Sequence, residues 1–321
     1  MSEPTHPAAA NMASTAPSGE LSRDSVGAAG DATSFLRDLV ALTKPRLSSL
    51  VLLTAGGGAW LAPGPVDLPR FFFAIVGTTL LVGAANAANC WLERDIDARM
   101  TRTAERPLPA GRLDPAWGIV VGAVLAVLGL PTLFLGVDAL TATLGATALV
   151  TYVLLYTPLK RRSPHAVFVG TIPGAMPTLI GWTAMTGSID PPGLVLFAIL
   201  ALWQVPHFLA IGIFRLDEYA RAGFRIGPLV WGLRGTRWQA VLWAAVLVPV
   251  SLAPVAQGVA GPVYGVIAGL ASLAYLAMAA RPFDPEGDDD ESGPRRWAKR
   301  LFLTSLLYVP FLFLGIFVDA G

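Results

Sequence analysis

The chain has 321 residues, 54% of them apolar and only 14% charged, with 23 basic side chains against 22 acidic ones. A soluble domain usually carries about 25% charged residues. Here the charges cluster and leave uncharged runs that reach the roughly 20 residues needed to cross a bilayer, which excludes a soluble enzyme and implies a polytopic membrane protein. The near-zero net charge, with no basic arm, gives no case for nucleic acid as a partner, and the single cysteine, Cys90, excludes an internal disulfide.

Residues 1–33 are rich in Ala, Ser, Thr, Pro and Gly and poor in large apolar groups. They cannot bury enough surface to fold and are expected to be a disordered tail. No apolar h-region follows a basic start, so they do not read as a signal peptide. Glu3, Glu20, Asp24 and Asp31 against Arg23 do not suit a mitochondrial presequence. Residues 34–321 read as one transmembrane domain, all-α, with about nine apolar spans. These are near 47–61, 71–92, 116–137, 139–155, 166–187, 192–214, 238–257, 263–280 and 301–318. The first is short, and its Gly56, Gly57 and Gly58 permit either close packing or a local break. The fifth holds Pro173 and Pro177 and is expected to kink.

With these spans, all Lys and Arg of the chain except Arg70 fall on one side of the membrane. By the positive-inside rule that side is cytoplasmic, which puts the N-terminus inside and the C-terminus outside. The opposite loops hold only Asp67, Arg70, Asp138 and Asp190. An acidic run, Asp288, Asp289, Asp290 and Glu291, is flanked by glycine and proline and reads as a solvated loop.

Two stretches on the basic side carry chemistry. At the end of the second span Asn89, Glu93 and Asp97 are four apart, so on a helix they drift only about 40° per step and share a face, with Asn86 one turn before. Polar side chains at the mouth of a membrane helix are costly. Oxygen donors on a stripe of this kind suit Mg²⁺, which takes one or two carboxylates and shares its other positions with water and phosphate. Arg94, Arg99, Arg102 and Arg106 follow and can meet an anionic group such as a diphosphate. The plain alternative is a charged helix end at the water boundary. After the sixth span come Asp217 and Glu218, and Lys160, Arg161 and Arg162 lie in the loop between the two stretches. Four spans separate the acidic clusters, the offset of two related half-bundles.

Two carboxylate clusters with several cations make sense for an allylic diphosphate. Metal and cations stabilise the leaving group, and aromatic faces such as Trp91, Tyr156, Trp203 or Phe208 can shield an allylic cation. Membrane packing is the ordinary role of such aromatics. A transporter is the rival class. It should show polar residues deep in several spans or at both mouths, whereas here they crowd one mouth.

The order Asn89, Glu93, Asp97 and then a second acidic loop resembles the UbiA superfamily of intramembrane prenyltransferases. The finer text resembles its protoheme IX farnesyltransferase (haem O synthase) branch. The matching runs are LTKPR at 42–46, ERDIDARMTRTAERPLPAG at 93–111 and YTPLKR at 156–161. They continue with PGAMPTLIGWTAMTG at 173–187, WQVPHFLAI at 203–211 and DEYARAG at 217–223. The resemblance implies a helical bundle of nine spans in a bacterial inner membrane. It also implies Mg²⁺-dependent farnesyl transfer from farnesyl diphosphate to a vinyl group of haem B, giving haem O, the precursor of haem A, with a haem A synthase as a conceivable partner. On that resemblance Asn89, Glu93 and Asp97 serve one Mg²⁺ site and Asp217 and Glu218 a second. Asn86, Lys160, Arg161, Arg102 and Arg106 become substrate-binding residues for diphosphate or propionates, and His207 sits near the haem. Glu93 and Glu218 stand where family members usually have Asp, one methylene shorter. A divergent relative acting on another aromatic or tetrapyrrole acceptor is the second reading.

Overall fold

The computed structural model describes residues 23–283 and 293–320, and every regular element among them is a helix. Two compact units divide the chain, Met1–Arg37 and Asp38–Gly321. The first helix, α1 (Arg23–Leu42), begins inside the 1–33 stretch expected to be disordered, and the acidic run at 288–291 lies outside the described residues. After α1 come α2 (Pro45–Leu61), α3 (Leu68–Asp97), α4 (Ala116–Gly136) and α5 (Ala139–Val150). A π-helical turn (Thr151–Tyr156) and the three residues of α6 (Thr157–Leu159) extend α5. Then follow α7 (Ala166–Thr186), α8 (Pro191–Phe214), the short α9 (Leu216–Arg221) and α10 (Gly227–Val230), and α11 (Gly232–Ala256), α12 (Pro262–Ala280) and α13 (Gly293–Ala320).

Among the described residues eight helices are long and apolar enough to cross a membrane, one fewer than the nine spans expected. The missing one is α2, whose apolar part, Val51–Leu61, is shorter than a bilayer is thick. Its three glycines do not break it. A Cβ on Gly58 would overlap the Thr178 carbonyl oxygen of α7, and a Cβ on Gly181 would overlap the Ala55 carbonyl oxygen of α2. The two backbones therefore touch, the way helices pack in lipid where no hydrophobic drive exists between them. Helix α7 continues through both prolines. Neither proline can donate an N–H to the carbonyl four residues earlier.

The few acids on the sparsely charged side have a structural use. Asp67, Asp138 and Asp190 are the N-caps of α3, α5 and α8, accepting from the backbone N–H of Arg70, Thr141 and Gly193. The lone opposite cation, Arg70, donates to the Ala184 carbonyl at 2.7 Å and to Asp138 at 2.5 Å, tying α3, α5 and α7 at that end. The largest core cluster lies among α8, α11, α12 and α13, around Trp297, Tyr264, Tyr275 and Tyr308. The other half relies on small residues between close helices.

Because the groups opposing Gly58 and Gly181 are main-chain carbonyls, they cannot swing aside. Gly58→Val or Gly181→Val should destabilise the protein by at least the ~1–3 kcal/mol typical of overpacking, read as a lower thermal midpoint in detergent. Gly64→Val, at a position with open space around its Cβ but a positive φ, should act only through local backbone strain and leave the docking of α2 intact.

Candidate active site

Helix α3 is long enough to cross the membrane and still carry its last two turns into the mouth of the bundle. There it presents Asn89, Glu93 and Asp97, which are 2%, 5% and 4% exposed. Buried carboxylates persist only when paired and hydrogen-bonded, and each has its partner. Glu93 Oε1 lies 2.6 Å from Lys160 Nζ, and Glu93 Oε2 accepts from Asn89 Nδ2 at 2.9 Å. Asp97 Oδ2 accepts from Arg106 at 2.7 Å, and its carbonyl accepts from Thr103 Oγ1. Asn89 and Glu93 are therefore hydrogen-bonded to each other, and Asp97, one turn on, is held separately by Arg106.

Lys160, which reaches Glu93, follows a π-helical turn at Thr151–Tyr156. Pro158 cannot donate a helical hydrogen bond, and the chain widens just before it; such turns recur at functional sites. Lys160 Nζ sits 4.9 Å from the Tyr156 ring centre and 5.7 Å from that of Phe224, inside a small aromatic cage. Burial is the largest single influence and works to lower its pKa, but the Glu93 carboxylate, together with the nearby Tyr156 and Tyr152, raises it to a net value above the ordinary one.

Lys44 is the residue that the sequence reading passed over. Its Nζ donates to Asn89 Oδ1 at 2.7 Å. Among the described residues it is the one non-glycine residue with positive φ, at 51°. Such a conformation costs energy and persists where the surroundings enforce it. Here Asn86 enforces it, donating to the Thr43 carbonyl at 3.1 Å and to Ser48 Oγ at 3.3 Å, while Ser48 Oγ also donates to the Thr43 carbonyl. Asn86 therefore holds the turn that aims Lys44, and makes no hydrogen bond to Glu93. Burial lowers the Lys44 pKa, with the nearby Arg106 and Lys160 charges acting the same way.

The second acidic loop folds onto the first. Ile96 in the last turn of α3 and Met100 just after it pack with Tyr219, Ala222, Phe224 and Ile226, and the Arg225 N–H donates to the Lys160 carbonyl. Arg102 leaves the first cluster and bridges to the second, 3.5 Å from Glu218 Oε2 and in contact with the Tyr219 hydroxyl. Glu218 also pairs with Arg215 at 2.8 Å, and Asp217 pairs with Arg295 at the base of α13. Asp217 is 63% exposed in its side chain and Glu218 14%. Arg161 donates to the Leu92 carbonyl at 3.1 Å, and Arg94 turns away to Asp95 and the face of Trp91. His207 lies deeper on α8, between Trp203 and α13.

The donor set at this mouth is all oxygen. Among the described residues no three acidic, histidine or cysteine side chains gather closely enough to cage a metal on their own. That chemistry fits a Mg²⁺ that shares its positions with phosphate oxygens rather than one enclosed by protein.

Residues 50–317 match the UbiA prenyltransferase family. A protoheme IX farnesyltransferase of Anaeromyxobacter sp. (strain Fw109-5) is 49% identical over 286 residues, covering 89% of this chain and 94% of its own. One from Myxococcus xanthus (strain DK1622) is 46% identical over 282 residues, covering 88% and 94%. Among solved structures, a digeranylgeranylglyceryl phosphate synthase superposes with a TM-score of 0.74 at 16% identity, covering 89% of this chain and 98% of that one. A UbiA homolog from Archaeoglobus fulgidus bound to GPP and Mg²⁺ superposes with a TM-score of 0.66 at 14% identity, covering 87% and 99%. The chain is an integral membrane protein of the UbiA prenyltransferase family, similar over most of its length to protoheme IX farnesyltransferases.

Proposed function

We propose that this protein transfers the farnesyl group of farnesyl diphosphate to a vinyl group of haem B, making haem O. The observation that carries the reading is the meeting of two acidic loops, four spans apart in sequence, around buried cations at one mouth of an apolar bundle. The 46–49% identity to protoheme IX farnesyltransferases supports the choice of acceptor.

In this reading Asn89, Glu93 and Asp97 hold one Mg²⁺ and Asp217 and Glu218 a second. When bound, the metal supplies positive charge to the diphosphate as it leaves. Lys160, Arg106 and Lys44, now paired with Glu93, Asp97 and Asn89, turn to the same anion. Arg102 and Arg161 serve diphosphate or haem propionates. The C1–O bond of the prenyl diphosphate breaks and diphosphate departs. The allylic C1 then bonds to the terminal vinyl carbon, water adds to the resulting cation, and a proton is lost, leaving a hydroxyethylfarnesyl group. Tyr156, beneath Lys160, offers a π face to the cationic carbon while the apolar helices keep water from it. The crowding of cations at this mouth supports a cytoplasmic site, an inside N-terminus and an outside C-terminus.

Asp97→Ala and Glu93→Ala should each lower haem O formation by about 100-fold or more, the scale for losing a group that stabilises developing charge. Mass spectrometry of haem products from protein supplied with haem B, farnesyl diphosphate and Mg²⁺ reads this directly. Wild-type turnover in both variants removes the metal assignment, and prenylation of a quinone precursor in place of haem favours the second reading.

Lys44→Gly tests the new residue cleanly, because glycine accepts the positive φ while removing the ammonium. The variant should keep or gain thermal stability yet lose roughly 10²-fold in turnover. Unchanged turnover would show Lys44 to be only a structural partner of Asn89.

A further inference from the structure

His207 lies outside the ionic cluster and has been built into a mount of its own. It sits seven residues before the end of α8, about 10 Å below the mouth at 1.5 Å per residue. Its ring is stacked on Trp203, with centroids 5.0 Å apart and planes 26° apart, and Phe302 covers it at 5.0 Å and 32°. Phe208 meets it edge-on at 5.5 Å. Trp203 is itself pinned, its Nε1 donating to the Ser305 carbonyl at 2.9 Å and its own carbonyl accepting from the Tyr275 hydroxyl at 3.3 Å. The imidazole therefore has its faces occupied and only an edge to offer.

Ser305 sets which edge. Its Oγ lies 2.7 Å from His207 Nδ1 and donates to the Phe302 carbonyl at 2.6 Å. A hydroxyl has one hydrogen. With that hydrogen given to Phe302, Ser305 Oγ accepts from Nδ1–H, so in the neutral ring the bare lone pair is on Nε2. Among the described residues Nε2 makes no hydrogen bond. A neutral imidazole whose other nitrogen is fixed by a hydrogen bond is the form that ligates metals. Coordination lies in the ring plane, so stacking by Trp203 and Phe302 does not obstruct it.

We propose that Nε2 of His207 is the axial ligand to the iron of the haem acceptor, with Ser305 as the positioning residue that fixes its tautomer. The inference rests on haem being the acceptor, as set out under the proposed function. Its consequence is geometric: an iron held two turns below the mouth places the porphyrin edge, not its centre, toward the carboxylates and cations where the diphosphate lies.

The test uses the purified full chain in detergent with ferric haem B and no prenyl diphosphate, read by absorption and electron paramagnetic resonance. The wild type should show histidine-ligated haem. His207→Ala should lose that signature, and added imidazole should restore it, which also shows that the variant is folded. Ser305→Ala should weaken haem binding about tenfold, the lower end for removing a partner that orients a ligand, while Ser305→Thr, which keeps the hydroxyl, stays near wild type. His165→Ala should change nothing. A His207→Ala protein with the wild-type spectrum and affinity overturns the inference, as does a signature that follows His165. A Ser305→Ala protein indistinguishable from wild type overturns the role of Ser305. Haem O formation measured on the same samples separates the two readings. A wild type that makes haem O while His207→Ala keeps its spectrum defeats iron ligation alone, and a wild type that neither binds nor farnesylates haem defeats the acceptor as well.

Discussion

Pairing of buried carboxylates with cations from elsewhere in the chain is the constraint on which the rest of this structure depends. Glu93 and Asp97 are almost fully enclosed. An unpaired carboxylate there would take up a proton or destabilise the fold, because removing one partner of a buried pair typically costs about 3–5 kcal/mol. Lys160 comes from the extension of α5 and Arg106 from the loop after α3, while Lys44, from the turn before α2, donates to the neutral Asn89 beside them. These contacts gather the segments around the end of α3. The cations that make the mouth cohere, Lys160 and Arg106, are the same ones that the proposed diphosphate site would use.

The scaffold beneath is held by other means. In lipid an apolar side chain gains little by leaving the bilayer for a helix interface, so packing distance matters. The α2–α7 contact runs through Gly58 and Gly181 with backbone against backbone. The half built from α8, α11, α12 and α13 uses large aromatic residues and buried hydroxyls, such as Ser251 against Tyr308 at 2.5 Å. The first half thus brings helices close enough to aim short polar side chains, and the second leaves room for rings, among them the mount around His207.

Much of the mouth was legible from spacing. Four-residue steps put Asn89, Glu93 and Asp97 on one face, and the one-sided distribution of Lys and Arg placed both acidic loops together. Three things were not legible. The way α2 joins the two ends was one: a 17-residue helix, shorter than the eight long apolar ones, runs from Lys44 at the mouth to the loop before α3, packed backbone against backbone on α7. The π-helical turn leaves no periodic signature, although Pro158 two residues before Lys160 was a hint. Lys44 was hidden because its left-handed backbone is imposed by Asn86 from another helix, and lysine carries no local preference for it. Asn86 was grouped with the metal stripe by spacing alone, yet its hydrogen bonds go to the turn.

The two acidic clusters are also unequal, and the difference bears on how the site works. Glu93 and Asp97 are enclosed and cross-linked, whereas Asp217 is largely exposed and Glu218 sits on a six-residue helix ended by Gly223 at φ 76°. The exposed Asp217–Arg295 pair contributes about 0–1 kcal/mol, whereas the Glu218 carboxylate is largely buried between Arg102 and Arg215. Within the second cluster Asp217 is therefore the member least held by its surroundings. The α3 side of the mouth is thus enclosed throughout, and the α8 side is enclosed at Glu218 but open at Asp217. Arg102 departs from the first loop and pairs with Glu218 in the second, so the two walls are joined by an ion pair as well as by the packing of Ile96 and Met100 on Phe224.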